Sequence, residues 1–169
     1  MLGQPRVGRE AGAMTIPLRL ICALACASHA AAASALQCNV HAPPVNFGQY
    51  DTLNALAPAP VFIRVRCHGR GRASVSAALS TGSGSYATRT MHNRKGETLD
   101  YNLYVDTAHT QVAGDGSFGS AKLGPALIDL SGKNRVQTVS FPLYPYLPAR
   151  QNVGAGRYTD TPIVVTLNY

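Results

Sequence analysis

Apolar and polar residues alternate along the last stretch of the chain, residues 156–169, with the period of two that is typical of a β-strand. The apolar face of this predicted strand carries Ile163, Val165, Leu167 and Tyr169. A strand with so apolar a face needs a covering layer, and a central strand also needs a neighbour on each side. Because the sequence ends at Tyr169, we expect either an edge strand or a sheet that another polypeptide completes.

The chain from residue 36 onward repeats such short alternating runs and contains no convincing amphipathic helix. Gly, Pro, Ser, Thr and Asn separate the runs at short intervals, which favours an all-β sandwich. The predicted strands span residues 37–40, 45–50, 60–68, 73–80, 99–106, 135–142 and 158–169.

The predicted strand at residues 60–68 orients the sheet most clearly. Its inward face is predicted to carry Val61, Ile63, Val65 and Cys67. The other face begins a basic series that continues past the strand and consists of Arg64, Arg66, Arg70 and Arg72. We interpret the basic series as a solvated outer face whose charges discourage aggregation through strand edges. The alternative is a contact surface for acidic polysaccharide or nucleic acid, against which the single interleaved aromatic residue, Phe62, argues.

The predicted strand at residues 99–106 alternates in the same way. The residues expected to point inward are Leu99, Tyr101, Leu103 and Val105. The residues expected to point outward are Asp100, Asn102, Tyr104 and Asp106.

A secretory leader is predicted at the start of the chain. The apolar run at residues 20–27 follows Arg19 and is too short to span a membrane. Ala33-Ser34-Ala35 suits a signal-peptidase site, so residues 1–35 are predicted to be removed and Leu36 to begin the mature domain, residues 36–169. The sequence after Met14 is a more usual leader start than that after Met1, which leaves open that residues 1–13 lie upstream of the translation start.

Removal of the leader leaves two of the four cysteines, Cys38 and Cys67. In an exported chain, two cysteines allow one intramolecular disulfide. A zinc site is disfavoured because neither cysteine belongs to a CxxC pair. Since Cys67 shares the inward face of its strand, we predict a buried Cys38–Cys67 disulfide.

Charge and motifs argue against an enzyme. The formal net charge is +7, and it falls to +5 without the leader, whose charged residues are three Arg and one Glu. This excess does not demand a nucleic-acid partner. The sequence has no HExxH, GxSxG or CxxC motif and no phosphate-cradling glycine loop. Its His and Asp residues show no ligand or nucleophile–base spacing, so we expect no catalysis, cofactor or metal site.

Several short motifs follow one another in an order and spacing that are fairly specific. They are Cys38, the run from Val45 to Asp51, the run from Ile63 to Cys67, Arg89 with Met91, the run from Leu99 to Tyr104, Gly114 with Gly116, and the run from Gly156 to Asp160. Together they resemble the spore coat protein U family, whose best-known members are subunits of Csu-type pili of the archaic chaperone–usher pathway. The resemblance covers essentially the whole predicted mature chain.

The resemblance implies a secreted structural or adhesive fibre subunit with an immunoglobulin-like β-sandwich that lacks one strand. In that family a periplasmic chaperone fills the open groove first, and a neighbouring subunit replaces it during assembly at an outer-membrane usher. The groove would lie beside Ile163, Val165, Leu167 and Tyr169 in this chain. The Cys38–Cys67 pair would match the family's disulfide. The implied location is the periplasm in transit and then the cell surface.

The predicted mature N-terminus departs from that of polymerising subunits, whose N-terminal extension becomes the donor strand. Here Leu36 and Gln37 alone precede Cys38, and earlier cleavage would add mainly alanines. We therefore expect a subunit at a fibre end or tip, which accepts a donor strand without giving one. Loops at residues 80–85 and 143–148 are the expected surface contacts. The alternative is a free-standing carbohydrate- or surface-binding coat protein that uses the basic series.

Overall fold

A computed structural model describes residues 35–169, so the predicted leader, apart from Ala35, lies outside the described residues. This part of the chain forms eight strands and no helix. The strands are β1 (Gln37–His41), β2 (Val61–His68), β3 (Arg72–Leu79), β4 (Arg89–His92), β5 (Thr98–Tyr104), β6 (Leu123–Asp129), β7 (Val136–Tyr146) and β8 (Val165–Asn168). Accordingly, none of the described residues belongs to a helix long and apolar enough to cross a membrane.

The strands form two sheets in which every neighbouring pair is antiparallel. The larger sheet has the order β1-β2-β7-β5-β4, and the smaller sheet has the order β6-β3-β8. Buried apolar side chains from both sheets make one continuous core. These features confirm the predicted all-β sandwich, which is immunoglobulin-like in having two facing antiparallel sheets.

The side-chain alternation of β2 is confirmed. Ile63, Val65 and Cys67 are at most 2% exposed, whereas Arg64 and Arg66 point to solvent. The strand lies inside the larger sheet, since it pairs with β1 along one edge and with β7 along the other. This position is what brings its apolar face onto the core.

The predicted Cys38–Cys67 disulfide is present. The two cysteines lie directly opposite each other in the β1–β2 pair, with their Cα atoms 4.0 Å apart. They are separated by 29 positions in the sequence, so the bond restricts a loop of that length in the unfolded chain. In the chain-entropy account such a restriction stabilises the fold by roughly 3–4 kcal/mol. The bond also fixes β1 to the larger sheet.

Replacing Cys67 with alanine is expected to lower the periplasmic yield of folded protein, because the cross-link is lost and Cys38 becomes a free thiol. The double variant Cys38→Ala/Cys67→Ala also lacks the cross-link, but it leaves no free thiol at either position. Its yield should exceed that of Cys67→Ala only by the amount lost to reactions of the free thiol, and should stay below that of wild type. Mass spectrometry with thiol labelling tests the premise. Two labelled thiols in the mature wild-type protein would contradict it.

Several predicted strand boundaries are wrong. Residues 45–50 form no strand; they run as irregular chain whose Phe47 and Tyr50 pack against the core. The last strand begins at Val165 rather than at residue 158, because the backbone of residues 158–163 pairs with the larger sheet only at the isolated bridge between Thr159 and His92. Residues 143–148 are not a surface loop: most of them belong to β7, and Leu147 is 1% exposed.

Two strands were not predicted. The strand β4 has four residues, too few for an alternating pattern to stand out. The strand β6 contains Gly124 and Pro125, which are residues more typical of turns than of strand interiors. It is an edge strand of the smaller sheet, where proline is tolerated because a lost N–H group need not pair.

Candidate functional site

A cleft of about 1000 Å³ opens between the two sheets, next to β8. One wall is the irregular chain at residues 42–52, and the other is the segment at residues 153–163 that leads into β8. The floor is apolar except for the Tyr101 hydroxyl and is made of Val61, Ile63, Leu79, Met91, Leu99, Tyr101, Leu103, Leu143 and Leu147. The cleft therefore reaches the hydrophobic core itself.

The strand β8 presents one free edge. It pairs with β3 along its other edge, and no strand within residues 35–169 pairs with the free one. Ser80 N donates to Val164 O at 3.0 Å, so Val164 is bonded toward β3. Because bonded positions alternate along an antiparallel pair, Thr166 is bonded toward β3 as well. The N–H and C=O groups of Val165 and Leu167 therefore point to the free edge.

The four residues predicted to lie beside a groove occupy different positions. Ile163 and Val165 line the cleft. Leu167 packs against the core without lining the cleft. Tyr169 is 57% exposed and does not line the cleft. It lies beyond the last residue of β8, where no partner strand holds the alternation.

The first wall is tied to the chain that leads into the second wall. The Tyr50 hydroxyl donates to Pro148 O at 2.8 Å and accepts from Gln151 N at 3.0 Å. The side chain of Gln151 in turn bonds both backbone groups of Asp100 in β5, at 2.7 and 2.8 Å. These contacts tie the first wall to β5 and to the chain that precedes the second wall.

Asp160 anchors the second wall. Its carboxylate accepts hydrogen bonds from Ser83 N at 2.7 Å, from Thr161 N at 2.6 Å and from the Tyr101 hydroxyl. Burial first, and then this hydrogen bond, raises the pKa of Tyr101 well above its usual value, which keeps the hydroxyl protonated. Gly82 has a φ of 66°, and a Cβ there would lie 2.3 Å from the carboxylate, so the turn requires glycine.

A second anchor lies where the wall passes the β4–β5 turn. The Tyr158 hydroxyl contacts Gly154 O at 2.8 Å and the Glu97 carboxylate at 3.0 Å, and Asn93 donates to the same carboxylate. The hydrogen bonds from Asn93 and then Tyr158 lower the pKa of Glu97. The wall is thus fixed at Tyr158 and at Asp160, in its middle.

Arg89 carries a buried charge that was not predicted from the sequence. It is fully buried, and its guanidinium donates to Asn102 Oδ1 at 2.6 Å, Ser80 O at 3.0 Å and Ala113 O at 2.8 Å. Its Cζ lies 5.4 Å from the centre of the Tyr86 ring. Burial lowers the pKa of Arg89. The side chain joins three separate stretches of chain, one of which, at Ser80, also holds the start of β8.

The predicted outward orientation of Asn102 is wrong, since this side chain is 5% exposed. Its Nδ2 donates to the carbonyls of Tyr86 and Ala87, and its Oδ1 accepts from Arg89. The segment that carries these carbonyls covers the residue, which an alternation pattern cannot anticipate. The sequence did contain a signal for the burial of its partner Arg89. Arg89 lies two residues before the apolar Met91 and therefore on the same face of β4.

The basic series is exposed at all four of its residues, Arg64, Arg66, Arg70 and Arg72. Arg72 pairs with Asp129, with 2.8 Å between Nε and Oδ2. Hydrogen bonds from Ser131 and then from Arg72 lower the pKa of Asp129 to about 2. Arg64 and Arg66 have no ion pair or side-chain hydrogen bond within residues 35–169.

Chemically, the cleft offers apolar surface and a free strand edge. Its polar side chains, such as Asp160 and Tyr158, are engaged in holding the walls. Within the described residues, no group of three or more His, Cys, Asp or Glu is placed to hold a metal ion. The arrangement suits the binding of an extended polypeptide segment.

Comparison with known proteins places the chain in a family. No curated protein matches the sequence. One solved structure to which the chain is similar is that of the CsuC–CsuE chaperone–tip adhesion subunit pre-assembly complex from the archaic chaperone-usher Csu pili of Acinetobacter baumannii. The match has 18% identity and a TM-score of 0.49, and covers 80% of this chain and 40% of that one. The model of the Spore Coat Protein U domain matches residues 24–166. The chain belongs to the Spore Coat Protein U domain family.

Proposed function

We propose that this domain is a non-enzymatic subunit of a chaperone–usher surface fibre, and that it accepts a strand from a partner protein. The observation that carries the proposal is the apolar cleft beside the free edge of β8. Exposed apolar clefts that reach a core, next to unpaired backbone groups, invite strand addition. Family membership and the disulfide of an exported protein agree with this role.

The proposed strand has two sets of contacts. Its backbone bonds the N–H and C=O groups of Val165 and Leu167, which extends the smaller sheet by one strand. Its side chains alternate, so every second one enters the cleft and covers floor residues such as Leu79 and Leu103. Covering this floor removes apolar surface from water, at about 25 cal/mol for each Å².

The proposed partners act in sequence. A periplasmic chaperone fills the cleft after export, and a neighbouring subunit replaces it at an outer-membrane usher. The domain then resides in a fibre at the cell surface. The turn at residues 80–85, which is exposed at Gly84 and Ser85, remains a candidate for contact with that surface.

We place the subunit at a fibre end, because donating a strand needs an N-terminal extension with bulky alternating residues. If cleavage follows Ala35, two residues precede Cys38, which the disulfide ties to β2. The family match begins at residue 24, inside the predicted leader, so the cleavage site decides the matter. N-terminal sequencing of the mature protein is expected to begin at Leu36. A long, alternating apolar N-terminus, or self-polymerisation into fibres, would contradict the placement.

Expression in the periplasm with and without a periplasmic chaperone from the same genome tests strand acceptance. Alone, the domain is expected to aggregate or be degraded, because the cleft stays uncovered. With the chaperone, a soluble one-to-one complex is expected in gel filtration. An isolated domain that is monomeric, soluble and cooperatively folded would contradict the proposal.

A further inference from the structure

We propose that the outer face of the larger sheet, over β1, β2 and β7, binds an anionic polysaccharide. This site is distinct from the cleft, which lies between the sheets. The register places Asn39, Arg66 and Thr138 in one row across the three strands, and His41, Arg64 and Ser140 in the next. We call these six residues the arginine face.

The arginine face carries positive charge without compensation. The strands β1, β2 and β7 contain no Asp or Glu, although the chain has eight acidic residues. Arg64 and Arg66 have no ion pair or side-chain hydrogen bond within residues 35–169. By contrast, Arg72 is paired with Asp129, and Arg135 donates to backbone carbonyls at one end of the sheet. The two guanidinium groups are therefore available to a ligand.

Protection of a strand edge does not account for these charges. Charged residues discourage aggregation when they lie on an edge strand. The structure instead places Arg64 and Arg66 on β2, which is flanked by β1 and β7. Both edges of β2 are already paired, so no charge is needed there to prevent pairing with another chain. Protection against aggregation therefore does not explain Arg64 and Arg66.

The spacing and chemistry of the arginine face match a polymer of acidic sugars. Arg64 and Arg66 lie two residues apart on one strand, or roughly 6.5 Å along it. Their planar guanidinium groups bind carboxylate or sulfate with two parallel hydrogen bonds. The amide of Asn39 and the hydroxyls of Thr138 and Ser140 flank them and can bond sugar hydroxyls. Because the two rows are adjacent on one face of the sheet, an extended chain can contact both at once.

A nucleic acid fits this face less well. Single-stranded nucleic acids bind basic grooves through bases stacked on aromatic side chains. Among the Phe and Tyr residues of β1, β2 and β7, Phe62 alone is exposed, and it lies beyond the two arginine rows. The neutral polar residues between the cations favour hydroxyl-rich ligands instead.

The test compares two variants that remove the same charge from the purified, partner-bound protein. Arg64→Ser/Arg66→Ser alters the arginine face, and Arg94→Ser/Lys95→Ser alters exposed residues of the β4–β5 turn. Binding to immobilised alginate is measured at low salt, with dextran as the neutral polymer and single-stranded DNA as the competing class.

Wild type is expected to bind alginate but not dextran, and the arginine-face variant is expected to bind alginate about tenfold more weakly, because it lacks two exposed charged contacts. The turn variant should bind within twofold of wild type, and 0.5 M salt should release the polymer. Failure to bind alginate, an equal loss in both variants, or tighter binding of DNA would overturn the proposal.

Discussion

Replacing Arg89 with methionine is expected to lower the stability of the assembled protein by about 3 kcal/mol. The substitution leaves the carbonyls of Ser80 and Ala113 without their donor, and each buried, unsatisfied group costs about 1–3 kcal/mol. Relief of the buried charge offsets part of this cost. A loss of this size corresponds to a drop of about 10 °C in the melting temperature of a domain this large.

Two further variants identify the cause of the Arg89 effect. Arg89→Lys keeps the charge, but an ammonium group lacks the planar guanidinium that reaches all three acceptors. The melting temperature of this variant should therefore lie between those of wild type and Arg89→Met. Arg94→Met removes the same charge from an exposed position and should leave the melting temperature within about 1 °C. Equal melting temperatures for wild type and Arg89→Met would show that the buried network is not stabilising.

Replacing Val165 with aspartate is expected to abolish capture by the chaperone. Val165 lines the cleft, so an aspartate would place an unpaired carboxylate where the partner's apolar side chains are proposed to lie. Co-purification from the periplasm measures the effect, and the expected result is no recoverable one-to-one complex.

The neighbouring residue is a matched control for Val165. Val164 belongs to the same stretch of chain but is 61% exposed, on the other face. Val164→Asp adds the same charge and the same change in strand propensity, yet it should leave complex formation intact. Loss of the complex in both variants would mean that the substitutions act on folding rather than on the cleft.

Alternation in the sequence predicted the sandwich wherever a strand has one face on the core and the other in water. The strand β2 is such a case, and its inward Cys67 led to the correct disulfide. The chain near Val165 alternated for the same reason. Period-two patterns report burial on one face, so they succeed where the sheet has one.

The rest of the candidate site could not be predicted because it depends on tertiary contacts between irregular segments. Residues 45–50 alternate like a strand, but they form a cleft wall held through Tyr50. Asn102 is buried because the backbone near Tyr86 covers it. An arginine is normally exposed, and Arg89 is buried because three separate stretches of chain bring acceptors to its guanidinium. None of these contacts leaves a periodic signal in the sequence.

Amide hydrogen exchange at β8 tests the central proposal most directly. In the one-to-one complex, the amides of Val165 and Leu167 are expected to exchange as slowly as that of Thr166, because a partner strand bonds the free edge. Thr166 serves as the internal reference in the same complex, since it alone of the three bonds to β3. Rapid exchange of Val165 and Leu167 in the complex, at the rate of exposed loops, would contradict strand acceptance at this cleft.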